Sequence, residues 1–187
     1  MVDENKTLKV TCEQQEEKIR QLEKSHQGRI NSLEQQTRKN NIIITGVPLL
    51  KDERIEAVIK DCIRAIGINL TEDDTDACHR LPPKKSDQPP AIIVKLVRRG
   101  LKHQIIRKWE KKKPILSQIG VTSRNRMYVS EHLSPRNADL FYKARCIQKE
   151  REIKYLRTTD GKILARTQDG EHVIKIRSEE DLRTLEN

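Results

Sequence analysis

The sequence predicts an α+β protein built from an N-terminal coiled-coil helix, a central four-strand domain and a small C-terminal domain. Three observations predict this class. A heptad spacing of apolar residues runs through residues 1–39. Buried-strand patterns then alternate with amphipathic helical patterns through residues 40–133. In residues 134–187, a capped helix precedes alternating runs that are joined by Asp-Gly dipeptides.

The first segment predicts a helix because residues 5–38 contain no proline and are rich in Glu, Gln, Lys and Arg. Positions that step alternately by four and three form an a/d frame: Leu8, Cys12, Gln15, Ile19, Leu22, His26, Arg29 and Leu33. The polar members, Gly28 and the off-frame Ile30 make this frame imperfect, so a single solvated helix is the alternative. We expect a parallel, self-associating coil, as a dimer or trimer, with apolar contacts at Leu8, Cys12, Ile19, Leu22 and Leu33.

The second segment has the order βαββαβ. Strands are expected at residues 42–45, 75–82, 91–97 and 127–133. Helices are expected within residues 52–68, with Gly67 as the C-terminal cap, and at 99–113. The first strand ends at Gly46 and Pro48, and Leu101, Ile105, Ile106 and Trp109 form the apolar side of the second helix. This order is that of the split βαβ arrangement of the ferredoxin-like fold.

The third segment opens with Ser134 and Pro135, which predict the cap and first residue of a helix that runs to about Arg151. Two alternating runs flank Asp160-Gly161, and a third follows Asp169-Gly170. Asp-Gly between such runs is a strong hairpin signal. Ser178 is expected to cap a short final helix.

The positive charge is concentrated in one segment. The chain has 38 basic and 28 acidic residues, a net charge of +10, and residues 91–126 alone contain 11 basic residues against the single acid Glu110. Such a local field suits a polyphosphate backbone. An anionic protein or membrane surface and a merely solvated helix face are the alternatives.

The candidate phosphate contacts in this segment are its basic side chains, of which the arginines can bind bidentately. They are Lys95, Arg98, Arg99, Lys102, Arg107, Lys108, Lys111, Lys112, Lys113, Arg124 and Arg126. Solvated charge is the alternative for each. Outside the segment, Tyr155 could stack on a base or belong to a core, and His79 could bond a backbone group at a domain seam.

Other classes of function find little support. No nucleotide-binding, serine-hydrolase or zinc-protease motif is present, so we expect no enzyme and no cofactor. The acids at 71–76 could suggest a metal-dependent nuclease, but we expect them to cap a loop or repel nucleic acid. The four cysteines are far apart, which favours reduced thiols and argues against a metal site. With no signal core or membrane span in the sequence, we expect an intracellular protein of the cytoplasm or nucleus.

Five stretches together support a family comparison: "NNIIITGVP", "ACHRLP", "PPAIIVKLVRR", "MYVSEHLSPRNADLFYKAR" and "DGKILAR". The series resembles the first-open-reading-frame proteins of non-LTR retrotransposons. It is also similar to the baculovirus few-polyhedra (FP) proteins and their insect relatives. The resemblance covers about residues 8–186.

The resemblance implies a coiled coil that trimerises, an RNA-recognition-like (RRM-like) domain and a small C-terminal domain. It also implies binding of single-stranded RNA or DNA and a chaperone activity that anneals strands. It places Arg145 in a cleft between the two domains, where Lys149, Lys154, Lys162 and Arg166 could also lie. The baculovirus relatives act in virion and occlusion-body production.

This chain departs from typical RNA-recognition modules because its two central strands carry no aromatic residue, so base stacking on the sheet is not expected. The coil is also short for a trimer. We therefore expect a non-enzymatic, self-associating, sequence-tolerant single-strand binder derived from a retrotransposon. The alternative is a viral or host assembly protein of the FP type that acts mainly through protein contacts.

Overall fold

The structure is a computed structural model that describes residues 2–83, 88–151 and 153–185. The chain divides into two compact units after Thr37. The helices are α1 Val2–Thr37, α2 Ile55–Ala65, α3 Arg99–Lys112, α4 Pro135–Glu150 and α5 Glu179–Arg183. The strands are β1 Asn41–Thr45, β2 Thr75–Arg80, β3 Ile92–Leu96, β4 Tyr128–Glu131, β5 Tyr155–Thr159, β6 Lys162–Arg166 and β7 Ile174–Ile176. The predicted α+β class is confirmed.

The first unit is the helix α1, which continues through Gly28 without a break. The apolar residues of its heptad frame are exposed: Leu8 by 62%, Ile19 by 54%, and Leu33 by 68%. Leaving this much apolar surface in water is unfavourable by roughly 25 cal/mol per Å². The helix therefore presents an apolar stripe that the polar frame positions Gln15, His26 and Arg29 interrupt.

The second unit opens with an antiparallel four-strand sheet in the order β2-β3-β1-β4. Ile42 pairs with Val94 and Ile44 with Ile92, so one face of the two central strands is apolar. Ile63 of α2 and Ile105 of α3 belong to the same buried core. The expected βαββαβ order is confirmed, and both helices cover one face of the sheet.

An antiparallel three-strand sheet, β5-β6-β7, completes the unit. Thr159 pairs with Lys162, so Asp160 and Gly161 form a two-residue turn. Both have positive φ, +52° and +75°, which a tight hairpin turn of this type requires. Helices α4 and α5 pack on this sheet and form a second core with Leu140, Ala144, Ile163, Ala165, Ile176 and Leu182 among its members.

Both predicted helix caps are confirmed. The Ser134 hydroxyl accepts a hydrogen bond from the Asn137 N–H, and Pro135 is the first residue of α4. Ser178 and Asp181 form a reciprocal capping box at α5. Three of the four strands of the first sheet are shorter than predicted, whereas β1 begins one residue earlier, at Asn41. β2 ends at Arg80, two residues before Pro82, which has no backbone N–H to donate to a neighbouring strand.

Candidate nucleic-acid interface

Helix α3 carries most of the candidate cations, and its two sides differ. Ile105 and Trp109 point into the first core. Arg107 and Lys111 are exposed on the opposite side, and Lys108 is exposed beside the apolar side. Lys112 lies two turns after Ile105 on the apolar side and is exposed because it is the last residue of the helix. This separation follows from the 3.6-residue period of the apolar positions.

The loop after α3 returns two arginines to the end of that helix. The Leu116 N–H donates to the Asn125 carbonyl at 2.9 Å, and Ile115 forms an isolated bridge with Arg126. The Trp109 Nε1–H donates to the Met127 carbonyl at 3.2 Å, which ties this loop to α3 from inside. We define the α3 basic surface as Arg107, Lys108, Lys111, Lys112, Lys113, Arg124 and Arg126.

A close backbone approach supports this arrangement. Gly46 has a φ of +86°, and a Cβ built there would lie 2.9 Å from the Arg126 carbonyl oxygen. A side chain at residue 46 would therefore push the arginine-bearing loop away. The turn after β1 thus depends on a glycine for reasons of space as well as conformation.

The charges of the α3 basic surface are uncompensated by carboxylates. None of its seven cations forms an ion pair with any residue in the described ranges, and all are exposed. The Lys108 Nζ donates to the Gly67 carbonyl at 3.0 Å, just after the C-terminal end of α2. Unpaired cations on one helix and its following loop raise the local positive potential, which attracts phosphate groups.

Two residues before α3 that were predicted to contact phosphate form ion pairs with acidic residues instead. The Lys95 Nζ lies 2.6 Å from an Asp76 oxygen, and the Arg98 guanidinium lies 2.5 Å from an Asp74 oxygen. The Thr71 N–H and then Arg98 hold the pKa of Asp74 below its ordinary value. The acids at 71–76 therefore cap a short turn and serve as counter-ions.

Lys102 is the clearest departure from the predicted interface. It is only 1% exposed, with its Nζ 2.8 Å from Glu131 Oε1 and 3.6 Å from Asp160 Oδ1. An ammonium enclosed in this way cannot reach a phosphate. Lys102 lies on the same side of α3 as Ile105 and Trp109, so helical periodicity places it inward despite its charge.

The carboxylates around Lys102 join the two sheets. Glu131, at the end of β4, also accepts hydrogen bonds from the Asp160 N–H at 2.8 Å and the Gly161 N–H at 2.9 Å. The β5–β6 turn is therefore attached to the four-strand sheet through one buried carboxylate. Three donors on one carboxylate satisfy the acceptor capacity that burial would otherwise leave unpaired.

Asp160 is bound from the α3 side as well. The Arg99 Nε lies 3.0 Å from Asp160 Oδ1, and the His103 Nε2 lies 2.9 Å from the same oxygen. The hydrogen bond from Arg99 is the main reason that the pKa of Asp160 lies well below its ordinary value. We call Arg99, Lys102, His103, Glu131 and Asp160 the seam.

The seam was missed by sequence reasoning. The Asp-Gly turn was recognised as a hairpin signal, but nothing in the sequence indicated that its carboxylate would meet residues of α3. His79, which we expected to bond a backbone group at a domain seam, is exposed on β2. The histidine at the seam is His103, which contacts the Asp160 carboxylate instead.

Comparison with known proteins bears on the C-terminal segment, which includes Asp160 of the seam. Residues 134–186 match the family described as Baculovirus FP protein domain 2. The match supports the FP part of the resemblance and spans α4 to α5. No curated protein matches the chain.

The FP-matched segment contains the remaining candidate cations. Arg145 and Lys149 are exposed on α4 and Lys162 is exposed on β6, each without an ion-pair partner in the part of the chain that the structure describes. Lys154 and Arg166 both pair with Asp169. The Arg166 guanidinium carbon also lies 4.4 Å from the centre of the Tyr155 ring.

Tyr155 itself is 40% exposed, so it does not belong to the core of the FP-matched segment. Its hydroxyl donates to Asp169 Oδ1 at 2.8 Å. The hydrogen bond to Asp169 fixes the orientation of the ring, and the Arg166 guanidinium covers part of one ring face. Tyr155 therefore offers a base only part of its surface.

No group of three His, Cys, Asp or Glu side chains in residues 2–83, 88–151 and 153–185 is arranged to hold a metal ion. No helix in those ranges has both the length and the apolar character needed to cross a membrane.

Proposed function

We propose that the chain is a non-enzymatic, self-associating protein that binds single-stranded RNA or DNA and promotes strand annealing. The observation that carries the proposal is the α3 basic surface, where seven exposed cations lie together with no carboxylate partner among the described residues. Lysine and arginine in this setting neutralise phosphates and release counter-ions. The buried and paired cations, Lys102 and Arg99 above all, are left out of the proposed interface.

The expected mode of binding tolerates many sequences. Phosphate contacts position a strand but do not read its bases. The central strands β1 and β3 are built from Asn, Thr, Lys and aliphatic residues, so they offer no aromatic ring to stack on. Binding is therefore expected to depend on charge and strand accessibility rather than on base identity.

Self-association through α1 would place several basic surfaces on one particle. The exposed heptad residues, such as Ile19 and Leu33, are the surface that a second copy would cover. Linked surfaces raise affinity because the second contact becomes effectively intramolecular. Two strands held on one particle also meet at a high local concentration, which favours annealing.

The test is a titration of a fluorescent single-stranded oligonucleotide at several salt concentrations. With about five phosphate contacts, a plot of log K against log salt should have a slope near −3.5. Replacing Lys111, Lys112 and Arg124 with alanine should make the slope shallower by about 2, because each contact contributes about 0.7.

The matched control neutralises three exposed cations elsewhere: Lys51, Arg64 and Arg183. It removes the same net charge and should change the slope little. Equal slopes for the two triple variants would mean diffuse attraction to the whole molecule. A parent slope shallower than about −1 would reject the electrostatic mechanism.

A second function is favoured by a different observation, the FP match over residues 134–186. In this reading the chain is a viral or host assembly protein that works through protein contacts. Failure of the titration, combined with oligomers that persist at high salt, would favour it.

A further inference from the structure

The strand β2 forms one edge of the four-strand sheet. Among the described strands, only β3 pairs with it. His79 pairs with Ile93, and the Leu81 N–H donates to the Ala91 carbonyl in the same alternating series. The N–H and C=O groups of Cys78 and Arg80 therefore point away from β3, out of the edge of the sheet.

A groove runs beside this edge. It has a volume of about 520 Å³ and lies between β2 and α2, with Ala57, Ile59, Leu70, Ala77 and Cys78 among its lining residues. A second cavity of about 540 Å³ shares Arg54, Glu56 and Cys78 with the first and continues towards Leu49 and Arg80. The two cavities together follow most of β2.

The groove has exposed apolar residues along its sides and the half-buried Cys78 in its wall. Ala57 and Ala77 are exposed, and Leu49 is 65% exposed. Cys78 is half-buried against the first core, and burial raises the pKa of its thiol. The thiol therefore acts as a small apolar group in the wall of the groove.

Arg80 makes the edge rigid. Its guanidinium bonds Glu53 at 2.5 Å and the carbonyls of Val47, Pro48 and Pro90 at 2.7–3.0 Å. The guanidinium donors are thus engaged by groups from neighbouring chain segments and hold those segments together. Its own main-chain groups remain directed outward at a fixed position.

The charges that line the groove argue against a polyanion. Glu56, Glu72 and Asp76 face only Arg54 and Lys60 there, and Lys60 lies 3.6 Å from Glu72. A phosphate backbone would gain little from this near-neutral lining. An outward row of N–H and C=O groups is instead complementary to another extended main chain.

We propose that this groove binds an extended peptide segment of a partner protein, which adds a strand to the sheet beside β2. The main chain of the peptide would pair with Cys78 and Arg80, and alternate side chains would enter the groove between Ala57 and Leu70. The register shift between Thr75 and Ala77 ends the regular pairing, so the added strand would be short. A helical partner is disfavoured because its own main-chain groups are already paired.

The experiment selects short linear peptides from a random displayed library against the full chain and measures the affinity of the synthetic peptides. Ala57→Trp fills the groove from an exposed position of α2 and should weaken binding about tenfold or more. Arg64→Trp adds the same side chain elsewhere on α2, outside the groove, and should leave the affinity unchanged. Bound peptide should also slow hydrogen exchange at the amides of Cys78 and Arg80.

Three outcomes would overturn the proposal: no selected peptide discriminates the two variants, bound peptide leaves both amides unprotected, or Ala57→Trp alone changes the sedimentation of the chain. The last would mean that a second copy covers the groove.

Ala57→Lys is the second variant if Ala57→Trp fails to fold, as judged by thermal unfolding. The proposal uses no residue of the α3 basic surface, so oligonucleotide affinity should be unchanged in Ala57→Trp, and the two proposals fail separately.

Discussion

Helices α1 and α3 place their side chains in opposite ways. In α1, leucine and isoleucine residues lie in water, with Leu8 and Leu33 more than 60% exposed. In α3, a lysine is buried to 1% exposure among carboxylates. The first helix leaves these apolar side chains exposed. In α3, the charge of the buried Lys102 is paired within the fold by the carboxylates of Glu131 and Asp160.

The difference shows that exposure alone does not identify a binding residue. An exposed cation that already pairs with an acid has less positive charge to offer a phosphate than one that does not. Arg98 is 71% exposed yet paired with Asp74, whereas Lys111 is exposed and has no carboxylate partner among the described residues. Pairing therefore decides which cations of residues 91–126 are available to a phosphate.

The largest expected effect comes from breaking the buried pair. Glu131→Ala should lower the free energy of unfolding by about 3–5 kcal/mol, because it leaves the Lys102 ammonium buried without its main partner. It also removes the acceptor for the Asp160 and Gly161 amides. Urea unfolding followed by circular dichroism measures the loss.

The control for this prediction replaces both partners, as Lys102→Met with Glu131→Leu. Replacing a buried ion pair with an apolar pair of similar volume often changes the free energy of unfolding little. The double variant should therefore be more stable than Glu131→Ala and close to the parent. A loss below about 1 kcal/mol for Glu131→Ala would mean that the pair contributes little.

The next effect concerns the stripe of α1. Ile19→Lys keeps a good helix former but places a charge in the middle of the stripe, so each chain should lose about 1.5–3 kcal/mol of association. Analytical ultracentrifugation should show smaller particles at the same concentration.

Gln14→Lys, at an exposed polar position of the same helix, should leave the particle size unchanged. If Ile19→Lys sediments as the parent does, α1 is not the element that assembles the chain.

A smaller effect separates two exposed cations. Arg145→Ala should weaken oligonucleotide binding by about tenfold, because a bidentate guanidinium contact is worth roughly 1.5 kcal/mol or more. Lys112→Ala removes a flexible point charge and should cost several times less in affinity. Melting temperature and oligomeric state should be unchanged in both, since both residues are exposed.

Fluorescence anisotropy at fixed salt provides the comparison. Equal losses for Arg145→Ala and Lys112→Ala would show that binding is diffuse and that the FP-matched segment contributes no special contact.

The smallest effect is a dependence of stability on pH. The pKa of Asp160 is lower in the folded chain than in the unfolded chain, so its contribution is present above the unfolded value, near 3.9, and is lost as the pH falls further. Asp160→Asn should lower the free energy of unfolding by about 1 kcal/mol at neutral pH. Below about pH 5, the free energy of unfolding of this variant should fall less steeply with pH than that of the parent.

Asp139→Asn is the surface control, because the ion pair of Asp139 with Lys143 is exposed. It should change stability by a few tenths of a kcal/mol at most. Parallel pH profiles for the parent and Asp160→Asn would show that another group controls acid unfolding.

Much of the fold was predictable because its signals are local. Heptad spacing predicted α1, Ser134-Pro135 predicted the start of α4, and Asp160-Gly161 predicted the β5–β6 turn. Each of these signals operates within a few residues of sequence. The βαββαβ order followed from the same local patterns taken in sequence.

The composition of the candidate site was less predictable because ion pairing is not local. Lys102 pairs with an acid 29 positions along the chain, and Arg99 with one 61 positions along. Periodicity did put residue 102 on the apolar side of α3, but its residue type argued for solvent. Nothing in the sequence shows which acids fold back onto which bases.

The anchoring of Trp109 has a practical consequence for spectroscopy. It is the single tryptophan of the chain, 4% exposed, with its indole N–H bonded to the carbonyl of Met127. Indole emission moves to longer wavelength on contact with water, so an unlabelled chain carries an optical probe of the first core. The probe lies near the C-terminal end of α3, close in sequence to Lys111 and Lys112, so its emission reports whether that end of the helix is folded.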